Sequence, residues 1–400
     1  MKTNVDPEKI KELLMRGVEE IIDKDRLNKR LSSGERLRIK HGIDPTGPRI
    51  HLGRASQLWK LRAFQDLGHQ IVLVIGDFTG LIGDASDKDS LRPVLEEGQI
   101  KENMKDYTRQ IGKILDIDKA ELHYNSEWLD RLTAKDLIKL AMKFTAQQMI
   151  QRRNFKERWE QGKEIGLHEM LYPLLQGYDS VAIKADLELG GSDQLFNLLA
   201  GRDLQKAFGQ EPQDIMTTKM LLGTDGRKMS TSWGNVITVM DEPEEMYGKI
   251  MSMRDECLLD YFELCTQVGE EEMEKIKADL SGLKVNPRDI KARLASEVVG
   301  LYHGAEVAQE AEEKFNLVFQ KKEIPIDIPI LKIEEEQSAL LDILVQAKMA
   351  SSKAEAKRLI IQGGVRINGI VEKDWQKMIK VVSGTVIQAG KRKFIKLERE

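Results

Sequence analysis

The strongest constraint on the fold lies in residues 36–75, where two strand patterns flank one helix pattern. Residues 36–43 alternate as a strand does, and a turn rich in Pro and Gly follows at residues 44–48. Residues 52–64 then carry Leu and Phe at helical spacing, before an apolar strand at residues 70–75. A strand, a helix and a second strand in this order predict a parallel crossover. We therefore expect an α/β domain with a doubly wound, Rossmann-like parallel sheet.

The pattern beyond this unit predicts several domains. The predicted segments are an N-terminal helical segment at 1–35, the Rossmann-like domain at 36–235 with a helical insertion near 125–165, an all-α domain at 236–320, a linker at 321–336 and a small α+β domain at 337–400. Within the first domain we expect mainly helix over 92–178, a strand over 180–189 and a helix over 193–208. The linker is expected to be extended because it contains Pro325 and Pro329.

Charge is distributed unevenly along the chain. Residues 338–400 carry 13 Lys and Arg against 6 Asp and Glu, whereas the whole chain has a net charge of −4. A basic C-terminal module in an otherwise acidic chain suggests that this module binds nucleic acid. On charge alone, a solvated basic face is an equally good interpretation.

The cysteines and the apolar runs exclude several classes of protein. Cys257 and Cys265 match no zinc spacing and are expected to be reduced thiols of a cytoplasmic protein. The N-terminus shows no signal-peptide pattern. The longest apolar runs, such as residues 71–75, are much shorter than the ~20 residues that span a bilayer, so no membrane association is expected.

Two segments carry the chemistry. The first is Gly42 to Thr46 followed by His51, Leu52, Gly53 and Arg54, at the point where a strand ends and a helix begins. The N–H groups at a helix start attract phosphate, and a Gly lets a nucleotide approach the backbone. The second segment, residues 228–232, reads Lys-Met-Ser-Thr-Ser and suits the polyphosphate of ATP, whose charge grows in the transition state. Each segment alone is equally compatible with an ordinary helix cap or surface loop.

Together the two segments resemble the HIGH and KMSKS signatures of class I aminoacyl-tRNA synthetases, and further motifs resemble the bacterial tyrosyl branch. These are the GIDPT run at 42–46, TGLIGD at 79–84, YPLLQGYD at 172–179 and GGSDQ at 190–194. The basic tail resembles the small RNA-binding domain of some ribosomal proteins. The resemblance covers essentially the whole chain. It implies an enzyme that activates L-tyrosine with ATP to tyrosyl-adenylate and pyrophosphate, and then transfers the tyrosyl group to the 3′ end of tRNA-Tyr.

The resemblance also implies roles for individual residues. Those expected to bind tyrosine are Asp84, Tyr172 and Gln176 at the ammonium, Asp179 at the phenol, Gln194 beside the substrate, and Lys40 at the position where many relatives supply a phenol-binding tyrosine. Those expected to bind ATP are Gly42, Asp44, Thr46, His51, Gly53, Arg54, Gly191, Asp193, Lys228 and Ser230. Those expected to act in catalysis are Thr46, His51, Arg54, Lys88, Arg92 and Lys228. Magnesium should accompany ATP, with no protein ligand assigned.

Tyr172, Gln176 and Asp179 stand at i, i+4 and i+7, so they share one helix face. Periodicity alone would make this face a core stripe, but a buried Gln and Asp need partners. Two positions depart from the signatures: Arg54 replaces a His, which keeps a cation, and Thr231 replaces a Lys, which removes one.

Three alternative functions remain at this point. The chain could be a tryptophanyl-tRNA synthetase, a catalytically inactive RNA-binding protein derived from a synthetase, or a small-molecule ligase with the same two signatures. The resemblance further implies a homodimer with residues 125–165 at its interface. The apolar Phe144, Met149, Phe155 and Trp159 are compatible with such an interface or with an internal core.

Overall fold

The chain folds into two units, Met1–Ala308 and Gln309–Glu400. The structure is a computed structural model, and it describes residues 3–84, 96–230, 233–282, 285–320, 329–333, 335–390 and 393–399. Within these residues, no helix has the length and apolarity required to span a membrane.

A six-stranded sheet forms the centre of the first unit. Its strands are β1 (Val18–Ile22), β2 (Arg38–Ile43), β3 (Gln70–Ile75), β4 (Glu121–Tyr124), β5 (Leu187–Gly191) and β6 (Asp214–Thr218). Their order in the sheet is β1-β6-β5-β2-β3-β4, and every pair is parallel except β1 with β6. Residues Ile71–Ile75 of β3 are all buried, as expected of a strand that is covered on both faces. The predicted Rossmann-like fold is confirmed.

Twelve α-helices surround or extend this sheet in the described part of residues 3–208. They are α1 (Pro7–Met15), α2 (Lys24–Ser32), α3 (Leu52–Asp66), α4 (Thr79–Ile82), α5 (Glu97–Met104), α6 (Tyr107–Ile111), α7 (Ser126–Leu129), α8 (Ala134–Ala141), α9 (Ala146–Ile150), α10 (Arg153–Glu160), α11 (Leu167–Ile183) and α12 (Leu195–Ala207). The start of α1 illustrates how nearby residues stabilise a helix end. The side chain of Asp6 accepts hydrogen bonds from the N–H groups of Glu8 and Lys9, and Pro7 occupies the first turn, where its missing N–H costs nothing.

From residue 243 onward, the described part of this unit is helical, as the sequence predicts. Its helices are α13 (Pro243–Met251), α14 (Leu258–Cys265), α15 (Glu270–Ser281) and α16 (Pro287–His303), followed by α17 (Ala305–Gln320), which crosses the boundary between the units. Helix α13 packs against α16, and α14 packs against both α15 and α3.

The second unit is a small α+β module. Its strands are β7 (Ile330–Ile333), β8 (Gln337–Ala339), β9 (Val365–Ile367), β10 (Ile370–Glu372), β11 (Met378–Lys380), β12 (Val386–Ala389) and β13 (Lys393–Arg399), and its helices are α18 (Leu340–Gln346) and α19 (Lys353–Ile361). One sheet has the order β10-β9-β12-β13-β7, and β11 pairs with β8. Leu340, Ile343, Ile387 and Leu397 form part of its buried core.

The described part of residues 92–178 is mainly helical, as predicted, and it also contains β4. Three expectations about secondary structure were wrong in detail. Residues 1–35 are not all helical, because β1 pairs antiparallel with β6 at the sheet edge. The apolar run after Ser180 completes α11, and the strand begins only at Leu187, because short apolar runs suit a buried helix as well as a strand. Residues 330–333 of the expected linker form β7, which pairs with β13.

Candidate active site

A cleft opens where the parallel strands end. Strand order changes direction between β2 and β5, and the carboxyl ends of such a pair are where doubly wound sheets bind ligands. The cleft has a cavity volume of about 450 Å³. Its lining includes fifteen residues that the sequence predicts for the site: Gly42, Asp44, Thr46, His51, Gly53, Arg54, Asp84, Tyr172, Gln176, Asp179, Gly191, Asp193, Gln194, Lys228 and Ser230.

The turn after β2 is held by Arg54. Its guanidinium donates to the backbone oxygen of Asp44 at 3.2 Å, and to the hydroxyl of Thr46 at 2.8 Å. It also donates to the hydroxyl of Tyr107 at 2.9 Å, which in turn donates to the backbone oxygen of Gly47. Arg54, in the first turn of α3, therefore shapes the loop that faces the cleft and keeps a positive charge there.

His51 precedes α3 with extended backbone. Burial lowers the pKa of His51 to about 4, with a smaller contribution from the charge of Arg54. The imidazole is therefore neutral at pH 7. Its Nδ1 atom is buried and has no hydrogen-bond partner among the described residues. A neutral imidazole that faces the cleft can offer one donor and one acceptor to a ligand.

Gly53 brings the two signature segments together. A Cβ atom at Gly53 would lie 3.0 Å from Sδ of Met229 and 3.1 Å from Nδ1 of His51. Such a contact is tighter than most side chains make, so a larger residue at Gly53 would require Met229 or His51 to shift. Two segments that are 174 residues apart in sequence thus line one side of the cleft.

The opposite side of the cleft is one face of α11. Tyr172, Gln176 and Asp179 all line the cavity, as the spacing predicts. The hydroxyl of Tyr172 donates to Oδ2 of Asp44 at 2.8 Å. The amide nitrogen of Gln176 donates to Glu188 at 3.3 Å, while its Oε1 atom is buried without a partner in the described part of the chain. A buried carbonyl oxygen of this kind suits a ligand N–H group.

Asp179 lies at the deep end of this face and is 3% exposed. It accepts hydrogen bonds from the indole N–H of Trp128 at 2.8 Å and from the amide of Asn125 at 3.4 Å. Burial raises the pKa of Asp179 to about 7, against the opposing effects of Lys40 and of these two hydrogen bonds. A desolvated carboxylate of this kind suits a hydroxyl donor.

Asp84 also lines the cleft and is buried. It accepts hydrogen bonds from the amide of Gln194 at 2.6 Å and from the guanidinium of Arg152 at 3.3 Å. Arg152 is itself 5% exposed, and its guanidinium lies over the rings of Phe155 and Phe196 at 4.8 and 5.2 Å. The lining of the cleft therefore combines the carboxylates of Asp44 and Asp84 with the cationic side chains of Arg54 and Lys228.

Comparisons with known proteins agree with this geometry. Residues 32–320 match the family model described as "tRNA synthetases class I (W and Y)", and residues 320–397 match "Tyrosine--tRNA ligase SYY-like C-terminal domain". A protein of Thermotoga maritima named "Tyrosine--tRNA ligase" is 48% identical over 392 residues, which is 98% of each chain. The protein of that name from Moorella thermoacetica is 48% identical over 96% of this chain and 94% of its own.

The chain belongs to the class I tyrosine–tRNA ligase family. As a member, it is an aminoacyl-tRNA synthetase that uses ATP as a substrate, which confirms the resemblance seen in the sequence. The fold of the first unit is also that of solved synthetases. A tyrosyl-tRNA synthetase of Archaeoglobus fulgidus, solved with L-tyrosine, matches 76% of this chain and 98% of its own with a TM-score of 0.60 at 24% identity.

Lys40 is a predicted tyrosine-binding residue that does not line the cleft of this family member. Its side chain is 0% exposed, and its ammonium donates to Glu188 at 2.8 Å, to the hydroxyl of Ser180 at 2.8 Å and to the backbone oxygen of Gln176 at 2.8 Å. The ion pair therefore lies beneath α11. It supports the Gln176 segment and contributes charge near Asp179.

Three further predicted positions lie outside the described residues: Lys88, Arg92 and Thr231. The described residues contain no group of three or more His, Cys, Asp or Glu side chains arranged to hold a metal ion.

Several site residues escaped the sequence analysis. Asn125 and Trp128 follow β4, a strand that the pattern had assigned to helix, so their place at the carboxyl edge of the sheet was not recognised. Glu188 carried a usable signal, because a carboxylate inside an apolar strand needs a buried partner. Arg152 carried no comparable signal, since its contact with Asp84 joins residues 68 positions apart.

Proposed function

We propose that the chain catalyses both steps implied by its family. The carboxylate of L-tyrosine attacks the α-phosphate of ATP to give tyrosyl-adenylate and pyrophosphate. The tyrosyl group then passes to the 3′-terminal adenosine of tRNA-Tyr. The observation that best supports this proposal is the single cleft in which the His51 and Lys228 segments face the polar side of α11. Both ends of a tyrosyl-adenylate have chemically matched partners there.

At the tyrosine end, we assign the phenol to Asp179 and the α-ammonium to Asp84, Tyr172 and Gln176. The carboxylate of Asp179 accepts the phenolic O–H, which serves as a donor in a buried site that excludes water. The unpartnered Oε1 atom of Gln176 accepts an ammonium N–H, and the nearby carboxylate of Asp84 balances the positive charge. Gln194 orients Asp84 through the 2.6 Å hydrogen bond between them.

Lys40 acts at this end through Gln176 and through its charge near Asp179, and we do not assign it a direct contact with the phenol. This role differs from the one the resemblance implies, and it follows from the three donations of the buried ammonium to Glu188, Ser180 and Gln176.

At the ATP end, we assign adenosine to the backbone at Gly42, Gly53 and Gly191, with open space beside Gly42. Asp193 accepts hydrogen bonds from the ribose. The phosphates meet Thr46, His51, Arg54, Lys228 and Ser230, with Asp44 at the adenylate. Magnesium would accompany ATP with phosphate oxygens as ligands. Lys88 and Arg92 remain predicted contacts of pyrophosphate.

Catalysis requires no side-chain nucleophile, because the substrate carboxylate is one already. The enzyme has to position two substrates and stabilise charge as it moves onto pyrophosphate. His51 stabilises the developing negative charge as a neutral hydrogen-bond donor, since its pKa of about 4 leaves it uncharged at pH 7. Arg54 and Lys228 supply the positive charge.

The remaining assignments concern partners. We assign tRNA-Tyr contacts to the basic module at residues 337–400, and to the helical domain at 236–320 as an anticodon-binding domain. We infer a homodimer with residues 125–165 at its interface. Met142 and Trp159 support this inference, because their side chains are 77% and 62% exposed, whereas Met149 and Phe155 are buried in the core. We infer a cytoplasmic location, in keeping with the two free, buried cysteines.

Tyrosine-dependent exchange of pyrophosphate into ATP tests the proposal directly. The parent enzyme should show exchange with tyrosine, and much less with phenylalanine or tryptophan. Charging of tRNA-Tyr should then follow with the same preference. Exchange with tryptophan but not with tyrosine would reassign the substrate, and no exchange with any amino acid would favour an RNA-binding protein without catalysis.

A further inference from the structure

Asn235 lies where the chain returns from the Lys228 loop, defined here as residues 223–230. Its side chain is buried at 3% exposure. Its Nδ2 atom donates to Oδ1 of Asp225 at 2.8 Å and to the backbone oxygen of Lys228 at 2.9 Å. Its Oδ1 atom accepts from the backbone N–H of Ser230 at 2.8 Å. Because a backbone N–H only donates and a carbonyl only accepts, these contacts fix the orientation of the amide.

The start of the Lys228 loop is built to admit this amide. A Cβ atom at Gly223 would lie 2.4 Å from Nδ2 of Asn235, so no larger residue fits there without a shift. The N–H of Thr224 donates to the backbone oxygen of Asn235 at 3.0 Å. The hydrogen bonds of Asn235 thus reach the beginning, the turn and the end of the loop.

The segment after Asn235 is fixed to the His51 segment. The N–H of Leu52 donates to the backbone oxygen of Ile237 at 2.8 Å. The N–H of Val239 donates to the backbone oxygen of Ile50 at 3.0 Å, and His51 faces Thr238 in an antiparallel bridge. Asn235 therefore connects the loop that carries Lys228 to the backbone that carries His51.

We propose that Asn235 is a positioning residue for the activation step. Its amide holds the backbone of Lys228 and Ser230 at the distance from His51 that lets the Lys228 ammonium meet the departing pyrophosphate. Asn235 itself touches no substrate in this proposal. The proposal rests on the function proposed above and adds to it a residue that the two signatures do not include. A misplacement of about 1 Å in such a site can slow a reaction by about 10²-fold.

A double-mutant cycle tests whether Asn235 acts through Lys228. The single-turnover rate of tyrosyl-adenylate formation is measured for Asn235→Ala in the parent and in Lys228→Ala. We expect Asn235→Ala to slow the parent enzyme by about 10–100-fold. In an enzyme that already carries Lys228→Ala, the same change should slow the reaction by less than about threefold further. Equal slowing in both backgrounds would overturn the proposal, because the amide would then act independently of Lys228.

Two further measurements separate positioning from loss of folding. The dissociation constant for tyrosine should stay within about twofold in Asn235→Ala, since the tyrosine end of the cleft is untouched. Transfer of the tyrosyl group from preformed adenylate to tRNA should also keep its rate, because pyrophosphate has already left. If tyrosine binding weakened and transfer to tRNA slowed as much as adenylate formation does, the positioning role would be overturned.

If Asn235→Ala does not fold, Asn235→Asp provides the same test. This change keeps the acceptor for Ser230 but removes the donor to Asp225 and to the backbone oxygen of Lys228. It should slow adenylate formation by about 10–100-fold in the parent, but slow the Lys228→Ala enzyme by less than about threefold further. Equal slowing in both backgrounds would contradict the proposal. A parent enzyme that forms no adenylate from tyrosine would refute the proposed function itself, whatever Asn235 does.

Discussion

The raised pKa of Asp179 should make tyrosine binding depend on pH. This pKa is about 7, because burial disfavours the charged form. We assign Asp179 to accept the phenolic O–H, which the ionised carboxylate does far more strongly than the neutral carboxyl group. Below pH 7 the carboxyl carries its own proton, and the fraction of enzyme that can accept the phenol falls. The apparent dissociation constant for tyrosine rises as this fraction falls.

The magnitude follows from the pKa. With a pKa of about 7, the ionised fraction falls from about 0.9 at pH 8 to about 0.03 at pH 5.5, so tyrosine should bind about 30-fold more weakly at pH 5.5. Two other titratable groups that line the cleft have pKa values outside this window. The pKa of His51 is about 4, and burial raises the pKa of Tyr172 well above its ordinary value.

Equilibrium dialysis of tyrosine and phenylalanine between pH 5.5 and 8 measures this effect. Phenylalanine lacks the phenol and serves as the control ligand, and its dissociation constant should change little. Asp179→Asn keeps the shape of the side chain without its charge and serves as the control protein, and its pH profile should be flat. A change of less than about threefold in the ratio of the two dissociation constants for the parent enzyme would refute the reasoning.

The same shift has a consequence for stability, and its sign is the reverse of that for a salt-bridged carboxylate. The pKa of Asp179 is about 7 in the folded chain and 3.8 in the reference state. Between these values the folded chain binds more protons than the unfolded chain, so the free energy of unfolding falls as pH rises from about 4 to 7. About three pKa units correspond to about 4 kcal/mol. Asp179→Asn should therefore melt at a higher temperature than the parent at pH 8, and a lower melting temperature would contradict this.

Further predictions concern the Lys228 segment, the C-terminal module and Trp128. Lys228→Ala should slow single-turnover adenylate formation by about 10²–10³-fold with a smaller change in ATP binding, because the charge of Lys228 is needed mainly in the transition state. A rate within about twofold of the parent would exclude the loop from catalysis. Thr231→Lys should be neutral or mildly accelerating in the same assay. A chain that ends at Gln320 should keep pyrophosphate exchange and lose most tRNA charging. The parent enzyme should lose charging steeply with added salt. Full charging by the shorter chain would contradict the assignment of tRNA binding to the C-terminal module. Trp128→Phe removes one donor to Asp179 and should move the midpoint of the tyrosine-binding profile to higher pH, and an unchanged midpoint would show that this hydrogen bond does not stabilise the carboxylate.

The sequence predicted the sheet at the positions where periodicity is strong. The strands at residues 38–43 and 70–75 and the helix between them were expected, and all three are present. Strand β1 was not expected, because a short edge strand with two exposed Glu residues has no clear period. Its pairing with β6 depends on a partner almost 200 residues away.

Local patterns in the sequence are sufficient for the order of the elements and for the chemical character of the site. Strand-helix-strand periodicity led to the doubly wound sheet, and the spacing of Tyr172, Gln176 and Asp179 led to one polar helix face, because both follow from local backbone geometry. Which charged and polar groups meet depends on the tertiary structure. It pairs Lys40 with Glu188 against α11, sets Trp128 against Asp179, and joins Asn235 to Lys228. Desolvation and hydrogen bonding act on the groups that packing brings together, and the separation of two residues in the sequence does not reveal how far apart they lie in space.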